Sequence, residues 1–208
     1  FVLEPAMSIE LDDTPSGPAG FDPKTAYVPL GSGRVVAIDL DQATLKWSRD
    51  ITTNMAPVVS GGLVVVAGDE QLAAFDALTG AERWAMPVTG GFSAPPLVDA
   101  GWLVAVTVDG TLLTVRADDG KLLWSRDLGK ILSRLGWGES VTPVISGDSL
   151  LLNWDQEKAS ALYCLDAQTG KTRWKVDRDE KTSWNTPLVV EHKGVKQVIV
   201  NGTTRIRS

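Results

Sequence analysis

The cysteine and histidine content of this 208-residue chain narrows its chemistry at once. There is one histidine, His192, and one cysteine, Cys164. A lone cysteine forms no internal disulfide, and a lone histidine builds no multi-histidine metal cage. His192 reads as a surface histidine. The most polar and aromatic break in a strand pattern is Asn153-Trp154-Asp155-Gln156-Glu157. Together with Trp137, Glu139 and Asn185 it makes a candidate loop. Two carboxylates and an amide oxygen are donors that a calcium ion accepts. Carboxylate-bearing turns are also ordinary surface features, and the sequence favours that second reading, an exposed hairpin loop with a half-buried tryptophan. Thr203, Thr204, Arg205 and Arg207 offer an anion-binding patch. Strand alternation argues instead that Arg205 and Arg207 face solvent while Ile206 faces in. No residue is assigned as catalytic and none as a metal ligand.

Charge and hydropathy exclude several classes. Net charge is −6. The densest basic group, Lys193, Lys196, Arg205 and Arg207, is too small for a nucleic-acid footprint. No apolar run approaches the roughly 18 residues of a spanning helix, so no transmembrane segment is expected. The first residues, Phe1-Val2-Leu3-Glu4-Pro5, lack the charged, apolar and small-residue order of a signal peptide. They read as the interior of a longer or processed chain.

The eight tryptophans carry more information through their spacing. Four eleven-residue segments align without gaps: Ala37-Ile-Asp-Leu-Asp-Gln-Ala-Thr-Leu-Lys-Trp47, Ala74-Phe-Asp-Ala-Leu-Thr-Gly-Ala-Glu-Arg-Trp84, Thr114-Val-Arg-Ala-Asp-Asp-Gly-Lys-Leu-Leu-Trp124 and Cys164-Leu-Asp-Ala-Gln-Thr-Gly-Lys-Thr-Arg-Trp174. Their tryptophans recur at intervals of 37, 40 and 50 residues. A second marker keeps the same phase, a small residue followed by proline: Ala56-Pro57, Ala94-Pro95, Thr142-Pro143 and Thr186-Pro187. Each leads into a short apolar run bounded by Gly, Asp and Asn clusters, the signature of strands and tight turns. Helical periodicity is nearly absent. Leu128 to Leu135 is the one candidate for a short helix or an inserted loop, and it accounts for the longest interval. The repeated Asp39, Asp76 and Asp166 at position three are expected to cap the turn that follows, since a repeated residue implies a repeated contact.

A unit of about forty residues with four antiparallel strands is a propeller blade. One blade alone leaves both sheet faces bare, so blades must stack. The segments resemble the tryptophan-docking motif of the pyrroloquinoline-quinone (PQQ)-like propeller family, which takes in BamB-like and quinoprotein-dehydrogenase-like members. That resemblance implies an all-β fold, a β-propeller of four-stranded antiparallel blades with tryptophan-docking motifs, here an incomplete arc of about four and a half blades. The expected blades are 17–50, 53–88, 91–128, 140–178 and a partial 183–208, after a lead-in over 1–16. It also implies that Trp47, Trp84, Trp124 and Trp174 each stack on the next blade near a small residue, Gly80, Gly120 or Gly170. The first segment departs from the pattern with Ala43. Thr114 and Cys164 replace alanine at position one, which gives Cys164 a packing role.

For function, the resemblance implies a non-catalytic binding or assembly scaffold in the periplasm or cell envelope, meeting protein partners through loops or blade edges and needing no cofactor. Two alternatives stand beside it. One is a quinoprotein alcohol or sugar dehydrogenase using PQQ and calcium, although the adjacent cysteine pair of many such enzymes is absent here. The other is the sensor propeller of a signalling protein such as a kinase.

Overall fold

The computed structural model describes residues 8–129, 143–183 and 185–208. Among them are five antiparallel sheets and no helix. The first is β1 (Gly20–Phe21), β2 (Thr25–Leu30), β3 (Arg34–Asp39) and β4 (Thr44–Asp50). The second is β5 (Val58–Ser60), β6 (Leu63–Ala67), β7 (Gln71–Asp76) and β8 (Glu82–Pro87). The third is β9 (Leu97–Asp99), β10 (Trp102–Val106), β11 (Thr111–Arg116) and β12 (Leu122–Asp127). The fourth is β13 (Val144–Ser146), β14 (Ser149–Trp154), β15 (Ser160–Asp166) and β16 (Thr172–Arg178). The fifth has three strands, β17 (Leu188–His192), β18 (Val195–Asn201) and β19 (Ile206–Arg207). Strands within each sheet follow chain order, as consecutive hairpins require. The stretch expected as a helix or loop, and Trp137, Glu139 and Trp184, lie largely or wholly outside the described residues.

The chain forms two compact units, 1–98 and 99–208. In the first, alternation divides each sheet into two apolar faces. Tyr27, Val35, Ala37 and Trp47 of the first sheet meet Val64, Val66, Ala73 and Phe75 of the second in one buried cluster. The reverse face of the first sheet, Ala26, Leu30, Val36 and Ile38, packs with Ile9, Leu11, Val28 and Leu40. In the second unit, Leu150, Leu152, Leu165 and Trp154 are buried within the fourth sheet.

One backbone device recurs in all four complete sheets. The last strand pairs regularly until its tryptophan stands opposite position one: Ala37↔Trp47, Ala74↔Trp84, Thr114↔Trp124 and Cys164↔Trp174. The register then shifts, and one residue, Lys46, Arg83, Leu123 or Arg173, is left without an opposite partner. Such a bulge bends the strand and re-aims the side chain beside it. Position one is small because it lies directly across from an indole. Buried Cys164 fills that place in the fourth sheet, and burial raises its thiol pKa.

Candidate functional site

Two tryptophans sit at seams between sheets, each seam inside one compact unit. Trp47 is 6% exposed and donates its indole N–H to the Ala77 carbonyl at 3.1 Å. Its ring lies 5.6 Å from Tyr27 and 6.4 Å from Phe75, centroid to centroid. A Cβ on Gly80 would fall 2.6 Å from the Trp47 ring, well inside contact distance. Gly80 also has a φ of +67°, which glycine tolerates best. Trp124 repeats the arrangement: its N–H reaches the Ala167 carbonyl at 2.8 Å, and a Cβ on Gly170 would stand 2.7 Å from its ring. An arginine two residues beyond each ring adds a clamp that the sequence reading missed. Arg49 donates to the Gly80 carbonyl, and Arg126 to the Gly170 carbonyl and the Thr172 hydroxyl. Trp84 is 8% exposed and Gly120 has a φ of +71°. Trp174 differs, being 39% exposed. It lines a cavity of about 430 Å³ with Leu162 and Val176, across from Val198 and Val200 of the fifth sheet.

The aspartates at position three all cap their turns. Asp39 accepts the N–H groups of Asp41 and Gln42, Asp76 those of Leu78 and Thr79, and Asp166 those of Gln168 and Thr169. The Thr79 bonds, backbone then side chain, and Arg83 bring the Asp76 carboxyl down to about 2. Arg173, with Thr169, brings Asp166 to about 2.

The candidate loop is not the exposed hairpin expected of it. Asn153, Trp154 and Asp155 are 3%, 6% and 2% exposed. The reason is an ion pair that sequence spacing did not reveal. Arg178, at the end of β16, points its guanidinium at Asp155 from Nε at 2.7 Å and from Nη2 at 3.1 Å. Both side chains are almost sealed, 3% and 0% exposed. Asp155 Oδ2 also accepts from Ser183 at 2.6 Å and from the Asn153 amide at 3.2 Å. The Asn153 amide reaches the Ser183 hydroxyl and the Asn185 carbonyl as well. Glu157 accepts from the Thr182 hydroxyl at 2.8 Å, and Ser160 donates to the Glu180 carbonyl at 2.7 Å. The loop therefore clasps residues 178–183 and Asn185, on the way from the fourth sheet to the fifth.

A second buried carboxylate continues the clasp. Glu180 accepts the Thr204 N–H at 3.0 Å and its hydroxyl at 2.9 Å, and its side chain rests against Gly202. Burial alone would raise this carboxyl, but the Thr204 bonds outweigh it and hold it below its usual value. Thr204 therefore serves an internal carboxylate and is no free anion donor. Arg205 and Arg207 both pair with Asp179. Ile206, expected to face in, is 69% exposed. Its strand, β19, is two residues long, and among the described residues β18 is its only sheet neighbour.

These donors do not fit a calcium ion. Both Asp155 oxygens already accept from Arg178, and an ion there would meet a guanidinium. Among the described residues no three His, Cys, Asp or Glu side chains converge as a ligand group. Trp137 and Glu139, also named for this loop, lie outside the described residues. A separate cavity of about 550 Å³ opens between the first two sheets beside Gly33, Thr52, Gly68 and Gln71. Among the described residues no helix is long and apolar enough to cross a membrane.

Comparison with known proteins settles the family. The model of the family described as outer membrane protein assembly factor BamB matches residues 31–177, more than half of the chain. The chain belongs to this PQQ-like, BamB-type family. The BamB of Bordetella pertussis is 35% identical over 117 residues, covering 52% of this chain and 30% of that protein. The serine/threonine-protein kinase AfsK of Streptomyces griseus is 28% identical over 144 residues, covering 66% of this chain and 17% of the kinase. The crystal structure of BamB from Moraxella catarrhalis superposes with a TM-score of 0.65 at 15% identity, covering 99% of this chain and 60% of that one. A europium-containing methanol dehydrogenase gives a TM-score of 0.61 at 15% identity, with 90% and 48% covered. These two superpositions speak for the propeller fold. The chain spans less than half the length of the curated relatives it matches.

Proposed function

We propose that this chain is part of a non-catalytic PQQ-like propeller, a binding and assembly scaffold of the periplasm or cell envelope that needs no cofactor. Its partners are proteins, met through loops and through the exposed outer strands. One observation carries the reading. The side chains first weighed for chemistry hold structure: Asp155 is closed off by Arg178, and Thr204 serves the buried Glu180. What stays open to a partner is strand edge. β16 is exposed along nearly its whole length, and an edge strand can pair with an extended segment. The indoles, set on glycines of the next sheet, serve in this reading to make the scaffold stiff.

The test adds PQQ and calcium to the purified protein and follows quinone absorbance and dye-linked alcohol oxidation, with a photo-crosslinker at Lys175 on β16. The expected result is no retained quinone, no oxidation, and crosslinks to envelope β-barrel assembly proteins. Retained quinone together with oxidation would overturn the proposal in favour of the dehydrogenase. A second reading, the sensor propeller of a signalling protein, rests on the similarity to AfsK. Crosslinks to a kinase domain and to no assembly protein would select it.

A further inference from the structure

The second and fourth sheets carry the same aspartate in different company. Val65 and Leu151 are the residues paired with position one, and four residues further on stand Asp69 and Asp155. In the first and third sheets that place holds Gly31 and Val108. The fourth residue after each docking tryptophan is Ile51, Val88, Leu128 or Arg178. Arg178 stands opposite Ser160, and Val88 donates its N–H to the Glu70 carbonyl at the matching place. The fourth sheet therefore answers its aspartate with a guanidinium, at 2.7 and 3.1 Å. The second sheet answers Asp69 with a valine.

The space beside the two aspartates differs in the same sense. The residue before Asp155 is Trp154, buried and clustered with Leu152, Leu128 and Tyr163. The residue before Asp69 is Gly68. A Cβ on Gly68 would stand 3.1 Å from Ile51, the counterpart of Leu128. Where an indole fills the fourth sheet's place, the first two sheets keep the cavity of about 550 Å³. That volume falls in the range of ligand pockets, roughly 300–1,000 Å³.

Asp50, Asp69 and Glu70 line this cavity beside the apolar Ile51 and Pro87, and no Lys, Arg or His is among its lining residues. The three acidic residues are exposed. Residues 1–98 hold twelve Asp and Glu against five Lys and Arg, so the local field favours a cation. A metal ion does not suit the place, because among the described residues no three such side chains converge. A guanidinium does. Its planar fork bonds one carboxylate through two nitrogens, and its stem can lie on an apolar wall.

We propose that the cavity between the first two sheets receives an arginine side chain of a protein partner, with Asp69 taking the guanidinium as Asp155 takes Arg178. The scaffold reading supplies only the source of that arginine, a partner protein.

The test is an NMR titration of the isotope-labelled chain with a capped pentapeptide that has arginine at its centre between glycine and serine residues. Matched peptides carry citrulline or lysine there. The arginine peptide should shift the backbone amides of Gly68, Asp69 and Glu70 saturably. Citrulline keeps the shape without the charge and should bind at least about tenfold more weakly, the loss of a charge-assisted bond. Lysine, which lacks the fork, should also bind more weakly than arginine. Asp69→Asn should weaken the arginine peptide by the same factor as citrulline does. Asp41→Asn, the same charge change on an exposed turn, should leave it unaltered. Val88→Arg should close the site from within and abolish peptide binding, with folding checked by circular dichroism; it keeps the test open if Asp69→Asn does not fold. The proposal is overturned by no saturable shift at these amides, by citrulline or lysine binding as tightly as arginine, or by folded variants at Asp69 or Val88 that bind like the unmodified chain. Retained quinone with alcohol oxidation would sink the scaffold reading and leave the peptide result standing, so the two fail separately.

Discussion

Gly80→Ala tests the seam between the first two sheets, and Gly61→Ala is its internal control. Both glycines have positive φ, +67° and +58°. Forcing alanine into that region costs about 1–2 kcal/mol at either site. The surroundings differ. A Cβ on Gly61 meets nothing within 4 Å, whereas one on Gly80 stands 2.6, 2.8 and 3.0 Å from three ring carbons of Trp47. The ring cannot yield freely, because its N–H is held by Ala77 and its faces by Tyr27 and Phe75. Overpacking of that kind adds about 1–3 kcal/mol. Gly80→Ala should therefore destabilise by about 2–5 kcal/mol and Gly61→Ala by about 1–2. Urea unfolding followed by tryptophan fluorescence measures both. Equal losses at the two sites would show that the Trp47 ring does not lie on Gly80, and the seam described here would be wrong.

Further outcomes follow from the same contacts. Arg178→Met leaves Asp155 buried without its partner and should cost about 3–5 kcal/mol in urea unfolding; Arg83→Met, at an exposed pair with Asp76, should cost about 0–1. Asp76 and Asp166 have folded values depressed to about 2, so their stabilisation is complete above the ordinary aspartate range and disappears as pH falls toward about 2. Melting temperature should drop across that window, and Asp76→Asn/Asp166→Asn should lower the neutral-pH value while flattening the acid slope. Cys164 is 3% exposed with its thiol pKa raised by burial, so a thiol reagent should label it only in denaturant; Cys164→Ala, the residue used at this place in the first two sheets, should cost less than about 2 kcal/mol.

What could be read from the sequence was local. The tryptophan phase, the glycine turns and the position-three aspartates each depend on neighbours within about ten residues, and a repeat prints them several times. The bulge before each tryptophan was also present, as one residue too many between the turn and Trp47, Trp84, Trp124 or Trp174, but spacing alone does not reveal a register. The Asp155–Arg178 pair joins residues 23 apart across two strand ends and occurs once, so no repeat exposed it. A signal did exist: Arg178 shares the parity of Trp174 and Val176 on β16, an odd place for an unpaired charge. Ile206 was misplaced because alternation assigns a face to every strand residue, whereas burial requires another layer over that face.

Hydrogen exchange of the indole N–H groups reaches the central claim most directly. Trp47 and Trp124 donate to carbonyls of a neighbouring sheet at 3.1 and 2.8 Å, while Trp174 is 39% exposed with no acceptor for its indole among the described residues. Resolved by NMR in the folded chain, the first two should exchange at least a hundredfold more slowly than Trp174. Comparable exchange at all three would mean that the indoles do not join sheet to sheet.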